Sequence, residues 1–223
     1  MLCILQARLS SKRLPGKMLM QLKLRPLLGR TLDRLGHSKT ISRLVVATSN
    51  SVADDPIADF CAVEGVNCFR GSPDNVAERF RQVLAQERVS QFMRISGDSP
   101  LIDPEIADQA VRYFYAADCD LATNIIPRTF PKGQSVEVLL TKTFLQVCDR
   151  LLSADQQEHV TTFYYQNPTD FRITSFTCGK DYGKLNLSVD TAQDFARIDA
   201  ILELSGNRPG TWRELALIAD AIG

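Results

Sequence analysis

The first half of the chain alternates short apolar runs with amphipathic stretches. Residues 2–6 (LCILQ) and 43–49 (RLVVATS) are continuous and rich in aliphatic or β-branched side chains, as expected of strands buried on both faces. "VNCF" (66–69) and "QFMRIS" (91–96) read as further strands. Between them, Leu27, Leu28, Leu32 and Leu35 recur at helical spacing behind Pro26, and a helix is expected at about 52–64. "SPDNVAERFRQVLAQE" and "DPEIADQAVRYFYAA" (103–117) each open with a Ser–Pro or Asp–Pro start signal and continue amphipathically. This rhythm predicts an α/β fold with a mostly parallel central sheet and helices on both faces. Ligands of such sheets bind beyond the carboxyl ends of the strands. The loop 7–17 and the "GDSP" turn at 97–100 both follow strands and should open onto that edge.

After residue 120 the pattern changes. "SVEVLLT" (135–141), "FRITSF" (171–176) and "KLNLSV" (184–189) predict strands; 142–152, 156–166, 191–204 and 211–222 predict helices. We read residues 1–223 as a single domain, with 124–180 as an acceptor-binding or dimerisation insertion. The apolar 139–165 region makes a homodimer the expected assembly.

The formal net charge of zero conceals an asymmetry. Residues 1–43 carry ten Lys/Arg and one acid, Asp33, leaving sixteen bases and twenty-five acids for the rest. A basic end on a neutral chain indicates a local anion site, and the basic residues have no interleaved aromatics, which argues against nucleic acid as a partner. Nothing resembles a signal peptide or a membrane span, because the loop cations interrupt the first apolar run. Six scattered cysteines without a C-x-x-C pair fit reduced thiols in a cytoplasmic protein.

The chemistry concentrates in "LQARLSSKRLPGK" (5–17), where Arg8, Lys12, Arg13 and Lys17 stand among small residues with no acid. Guanidinium forks, an ammonium and closely approaching backbone N–H groups are what a polyphosphate requires, and the cations repel one another unless an anion sits among them. A solvated basic loop would carry the same letters. The loop is neither a Walker P-loop nor a dinucleotide fingerprint.

"LQARLSSKRLPGKML" closely resembles the N-terminal signature of the cytidylyltransferases that activate acidic sugars, the CMP-acylneuraminate and CMP-Kdo synthetases, and in particular their shorter SpsF-like branch. "VVATSN", "FRGSPDNVAERF", "RISGDSPLIDP", "NIIPRTFPKGQSVEV", "EHVTTFYYQNP" and "LNLSVDTAQDF" follow in the same order, so the resemblance spans nearly the whole chain. It implies a Rossmann-like three-layer nucleotidyltransferase fold and a Mg²⁺-dependent reaction of CTP with an acidic sugar, for surface polysaccharide biosynthesis. It also implies Arg8, Ser10, Ser11, Arg13 and Lys17 around the triphosphate, with Ala7 near the base through its backbone. Thr48, Asn50, Gly71, Asp74, Asn75, Arg79 and Gly97 complete the implied nucleotide site. Arg8, Arg13, Lys17 and Asp98 are the implied catalytic residues, and Asp98 with Asp190 the implied Mg²⁺ ligands. Arg128, Lys132, Gln134 and Glu137 are implied on the acceptor side. Turn formation accounts for Thr48, Asn50 and Asp98 as well, helix capping for Ser72, Asp74 and Asp190, and helix packing or a dimer contact for His159. Ser135 stands where the SpsF-like pattern has Asp, which removes one charge from the acceptor side.

Two further functions remain open. A nucleotide-sugar-dependent glycosyltransferase would need a D-x-D motif after a strand, and "DCD" (118–120) instead precedes one. A non-catalytic relative binding nucleotide or a partner protein is the other. The glycine-rich G-x-G-T-R loop of sugar-1-phosphate nucleotidyltransferases is absent.

Overall fold

Side chains on β1 (Leu2–Gln6) alternate between two apolar cores: Cys3 and Leu5 join one, Leu2 and Ile4 the other. That is the signature of a strand covered on both faces. The computed structural model describes residues 1–208 and 210–222. After β1 come a two-stranded hairpin, β2 (Gln21–Leu22) and β3 (Arg25–Pro26), then α1 (Leu27–Leu35) and β4 (Arg43–Ser49). Next are α2 (Asp55–Glu64), β5 (Asn67–Gly71), α3 (Val76–Glu87), β6 (Gln91–Ser96) and α4 (Pro104–Ala116). The remainder comprises β7 (Leu121–Thr123), β8 (Glu137–Leu140), α5 (Thr141–Cys148), α6 (Ala154–Glu158), α7 (Thr162–Gln166), β9 (Ile173–Ser175), α8 (Ala192–Leu204) and α9 (Trp212–Ala221).

The main sheet has the order β5-β4-β1-β6-β8-β7-β9. Its first four strands are mutually parallel, β8 runs antiparallel to β6 and β7, and β7 pairs β9 in parallel. Gln6 is level with Ala47 and with Ser96. The loops leaving β1, β4 and β6 therefore emerge together at one edge. Leu28, Leu32, Ile106, Ile198 and Trp212 cover one face of the sheet. Phe80, Phe92 and Phe144 pack on the other, with ring centroids 5.1–6.3 Å apart. Among the described residues no helix is long and apolar enough to cross a membrane. All six cysteines are free thiols.

Three sequence expectations change. The strand expected at 184–189 does not form: its one ladder contact is an isolated bridge from Asn186 to Lys132, and the Asn186 side chain instead accepts from the Ser188 N–H. The helix expected at 142–152 ends at Cys148. The helix expected at 156–166 breaks into α6 and α7, with His159 capping α6 at φ −103°, ψ 68°. Within the segment 124–180, β8 lies between β6 and β7 in the main sheet and β9 pairs with β7 at its edge.

Candidate active site

The basic loop is held by groups that leave its cations free to turn inward. The Leu9 N–H donates to Asp54 Oδ1 at 2.7 Å, and Asp54, 1% exposed, is also bonded by the Ser49 hydroxyl. The Gly16 N–H closes the loop on the Leu9 carbonyl at 2.9 Å. Gly16 has φ +77°, a left-handed conformation that suits glycine, and it starts a 3₁₀ turn, Lys17–Leu19. This turn drives Lys17 into the protein, where it is 5% exposed.

Lys17 Nζ is the hub. It donates to Asp98 Oδ2 at 3.0 Å, to Asp190 Oδ1 at 3.2 Å and to the Val189 carbonyl at 2.6 Å. Arg13 reaches the same Asp190 oxygen at 2.9 Å. Two carboxylates 92 positions apart in the chain thus converge on one ammonium. Asp98 is brought there by Gly97, whose place a Cβ could not share: it would lie 2.8 Å from the Gln6 carbonyl oxygen and 3.1 Å from Ala7 Cβ. Asp190 is brought there by the Val189 N–H, which bonds the Asp98 carbonyl at 3.0 Å. Asp194 fixes the turn by accepting from the Asp190 N–H at 3.1 Å and from the Thr191 N–H and hydroxyl at 2.9 Å. Burial raises the Asp194 pKa, but these donors and Arg197 outweigh it and hold the carboxyl below its ordinary value.

Next to this hub a cleft of about 160 Å³ opens between Gln6, Arg8, Ser11, Lys17, Asp98 and Glu158. Arg8 donates to the Pro73 carbonyl and pairs with Glu158 Oε1 at 2.6 Å. Ser10 is exposed at the cleft rim; Ser11 Oγ accepts from the Leu14 N–H at 3.3 Å.

The remaining residues implied for the nucleotide fall into two groups. Asn50 is exposed at the same edge, its N–H on the Gly71 carbonyl at 2.8 Å, and Asp74, three residues beyond Gly71, is also exposed. Others serve the framework. Ala7 is buried and its N–H bonds Ala47 O at 3.3 Å. Thr48 is fully buried and its hydroxyl has no partner. Asn75, not Ser72 or Asp74, caps α3, accepting from the Glu78 N–H at 2.8 Å. Arg79 is also fully buried and donates to the Ser72 and Pro73 carbonyls. Burial, reinforced by Arg8, lowers its pKa to about 10. Gly71 leaves no room for a Cβ, which would meet Arg79 Cγ at 2.8 Å.

On the acceptor side two of the implied residues are buried. Gln134 is fully buried; its Oε1 accepts from the Asp103 N–H at 2.9 Å and its Nε2 donates to the Leu101 carbonyl at 2.7 Å. Glu137, 1% exposed, pairs with Arg94 at 2.5 Å and accepts from the Tyr165 hydroxyl. Both residues brace the site from behind, and neither presents a free polar atom to a ligand. Lys132 is exposed. Arg128 donates to Ser135 Oγ at 3.1 Å, and burial lowers its pKa despite the field of Glu137. Asp118 and Asp120 are both engaged by Arg172 at the start of β7. His159 is exposed, 3.8 Å from Asp155.

Sequence reasoning passed over Asp54 and Glu158. Glu158 immediately precedes His159 in the "EHVT" motif, so the signal was present but drew attention to the wrong residue.

The profile of the family described as cytidylyltransferase matches residues 2–203. The spore coat polysaccharide biosynthesis protein SpsF of Bacillus subtilis (strain 168) is 32% identical over 215 residues, covering 93% of this chain and 88% of that protein. The 3-deoxy-manno-octulosonate cytidylyltransferase of Chlorobaculum tepidum is 37% identical over 114 residues, covering 50% of this chain and 44% of that one. Among solved structures, a cytidylyltransferase from Leptospira borgpetersenii superposes with a TM-score of 0.94 at 26% identity, over 98% of this chain and 93% of that one. A CMP:2-keto-3-deoxy-manno-octonic acid synthetase complexed with CTP shares the fold, with a TM-score of 0.70 at 16% identity over 92% and 98%.

Proposed function

The chain belongs to the cytidylyltransferase family, and from that premise we propose that it transfers the cytidylyl group of CTP to a hydroxyl of an acidic sugar, with Mg²⁺, in the cytoplasm, for surface polysaccharide assembly. The observation that carries this reading is the convergence of Lys17, Arg13, Asp98 and Asp190 beside the cleft of Arg8.

The acceptor oxygen attacks the α-phosphorus in line, a new O–P bond forms, the bond to the β-phosphate oxygen breaks, and pyrophosphate departs. Such chemistry asks the protein chiefly for positioning and charge neutralisation. Arg8, Arg13 and Lys17 take up negative charge on the triphosphate and on the leaving pyrophosphate, with Ser10 and Ser11 as added donors. Arg8 must exchange Glu158 for phosphate to do so. Exposed Asn50 and Asp74 are available at the nucleoside end.

The donor set suits Mg²⁺: two hard carboxylates already share one cation, and Mg²⁺ takes few protein ligands beside phosphate and water oxygens. Asp98 and Asp190 would hold it. When bound, it supplies charge for the α-phosphate and lowers the pKa of the attacking hydroxyl. The turn braced by Asp194 keeps Asp190 facing Asp98.

Arg128 is the best partner for the acceptor carboxylate, being a partly dehydrated cation hydrogen-bonded to the Ser135 hydroxyl and only partly offset by the field of Glu137, with Lys132 as a second, exposed cation. Exposed Ile126 and Leu152 on the 124–180 segment support a homodimer through that region. The engagement of Asp118 and Asp120 by Arg172 disfavours the glycosyltransferase reading.

The test is pyrophosphate release from each of the four ribonucleoside triphosphates with Mg²⁺ and a panel of sugar acids. CTP should be selected, and Asp98→Asn should abolish release while leaving the melting curve cooperative. Turnover by Asp98→Asn at the wild-type rate would reject the metal assignment. Failure of every triphosphate to react or bind would favour a non-catalytic relative.

A further inference from the structure

Arg30, Arg34 and His37 are spaced i, i+4 and i+7 along α1 and just past its end, which sets them on one face. With Arg208, Pro100 and Leu101 they line a cavity of about 180 Å³ that shares no residue with the cleft of Lys17. Arg34 is 8% exposed, and it donates through Nε to the Ile102 carbonyl and through one terminal nitrogen to Gly210 O at 3.0 Å. Arg30 Nε donates to the Leu22 carbonyl at 2.8 Å. These acceptors are all neutral. Among the described residues no carboxylate forms an ion pair with Arg30, Arg34 or Arg208.

The acids nearby are engaged elsewhere. Asp33, which also lines the cavity, gives both oxygens to Arg25, at 2.7 and 2.9 Å. Asp103 accepts from the N–H groups of Glu105, at 2.9 Å, and Trp212, at 2.7 Å. Asp199 holds the Lys23 N–H at 3.2 Å and Lys23 Nζ at 3.1 Å. Burial lowers the pKa of buried Arg34 despite the field of Asp103, and of half-buried Arg30 despite the fields of Asp33 and Asp199, and neither guanidinium has a bonded counter-charge. Elsewhere in this protein an N-terminal cation of comparable burial, Lys17, has two carboxylates.

We propose that this cavity is a second anion-binding site, which takes the phosphate group of a small phosphorylated molecule. Guanidinium forks match phosphate oxygens, and Pro100, Leu101 and Leu202 give the cavity an apolar wall for an organic body. The site also reaches the active centre mechanically. Pro100 and Leu101 follow Asp98 on the same turn, and Arg34 grips the Ile102 carbonyl at its far end. An anion drawn between Arg30, Arg34 and Arg208 stiffens the segment that carries Asp98. The inference is independent of the proposed reaction.

The experiment is calorimetric titration of the intact protein, without divalent metal, by inorganic phosphate and by glycerol 3-phosphate. The wild type and the Arg8→Gln variant should both bind, and the Arg30→Gln/Arg208→Gln variant should bind roughly tenfold more weakly. Tighter binding of the ester identifies the ligand as a phosphate monoester, and equal or tighter binding of the free ion identifies it as phosphate itself. Arg208→Gln alone, on an exposed loop, serves if the double variant does not fold. An unchanged affinity in the cavity variants, loss of all binding in Arg8→Gln, or no binding of either anion to wild type overturns the proposal.

Discussion

Replacing Lys17 by Met keeps an unbranched apolar stem and removes only the ammonium. In the wild type that group is 6% exposed and touches Asp98, 21% exposed, and Asp190, 35% exposed. Breaking a fully buried pair costs about 3–5 kcal/mol, whereas an exposed pair contributes roughly 0.2–1 kcal/mol. The half-wet carboxylates put this hub between those limits, and Arg13 still neutralises part of Asp190. The Val189 carbonyl also loses a donor at 2.6 Å, a loss of about 1 kcal/mol. The sum is about 2–4 kcal/mol, or roughly 4–16 °C in melting temperature for a chain of this size. The assay is urea denaturation of wild type, Lys17→Met, Asp98→Asn and the double variant. Because the two residues share one contact, the cycle should show a coupling of about 1–2 kcal/mol. Mg²⁺ should stabilise Lys17→Met more than wild type, since the ammonium no longer competes for the carboxylates, while turnover falls on the order of 10²-fold. Additive effects in the cycle, or a Lys17→Met variant as stable as wild type, would refute the reasoning.

Two further outcomes follow from buried polar groups. Gln134→Ala leaves the Leu101 carbonyl and the Asp103 N–H without partners inside the core, and urea titration should show a loss of about 2–4 kcal/mol. Asp108 is 3% exposed and accepts from the hydroxyls of Ser38 and Thr40 and the N–H groups of Lys39 and Thr40. Burial raises its pKa, but those donors outweigh burial and leave it depressed. Its stabilisation is therefore complete above the unfolded-state value of about 4 and disappears as pH falls through the lower folded value. Asp108→Asn should destabilise by about 2 kcal/mol at pH 7, and the gap from wild type should narrow in denaturation curves measured toward pH 2.

In the first hundred residues the longer helices and the main-sheet strands were legible, by periodicity, by continuous apolar runs and, for several, by a start or stop signal. The strand 91–96 has the bounds its apolar run predicts, and Asp103 caps the helix its Asp–Pro pair predicts. Beyond residue 120 the signals decouple. "KLNLSV" alternates like a strand, yet Asn186 turns its side chain onto its own backbone and the ladder stops after one bridge. The short strand 121–123 and the hairpin 21–26 have too few residues to show a period. At the site, the loop cations were readable as a cluster of like charge without an acid, whereas the two aspartates were singled out only by the family resemblance, since turn formation and helix capping explain the same letters. The burial of Gln134 and Glu137 was not legible because a polar side chain in an apolar stretch has the same letters whether it meets a ligand or buried protein groups. The insertion of β8 between β6 and β7, visible only in three dimensions, decides between them. Glu158 and Asp54 gave no periodic signal at all.

The hub around Lys17 ties together residues 81 and 173 positions apart, and Arg8 finds Glu158 after 150. On the ribosome the positive members emerge first and their negative mates last. A growing chain therefore displays unquenched cations for most of its synthesis, open to any polyanion in the surroundings. Closing such long loops is also slow compared with zipping neighbouring strands, so catalytic competence should be the final property this polypeptide acquires, well after its early strands have collapsed.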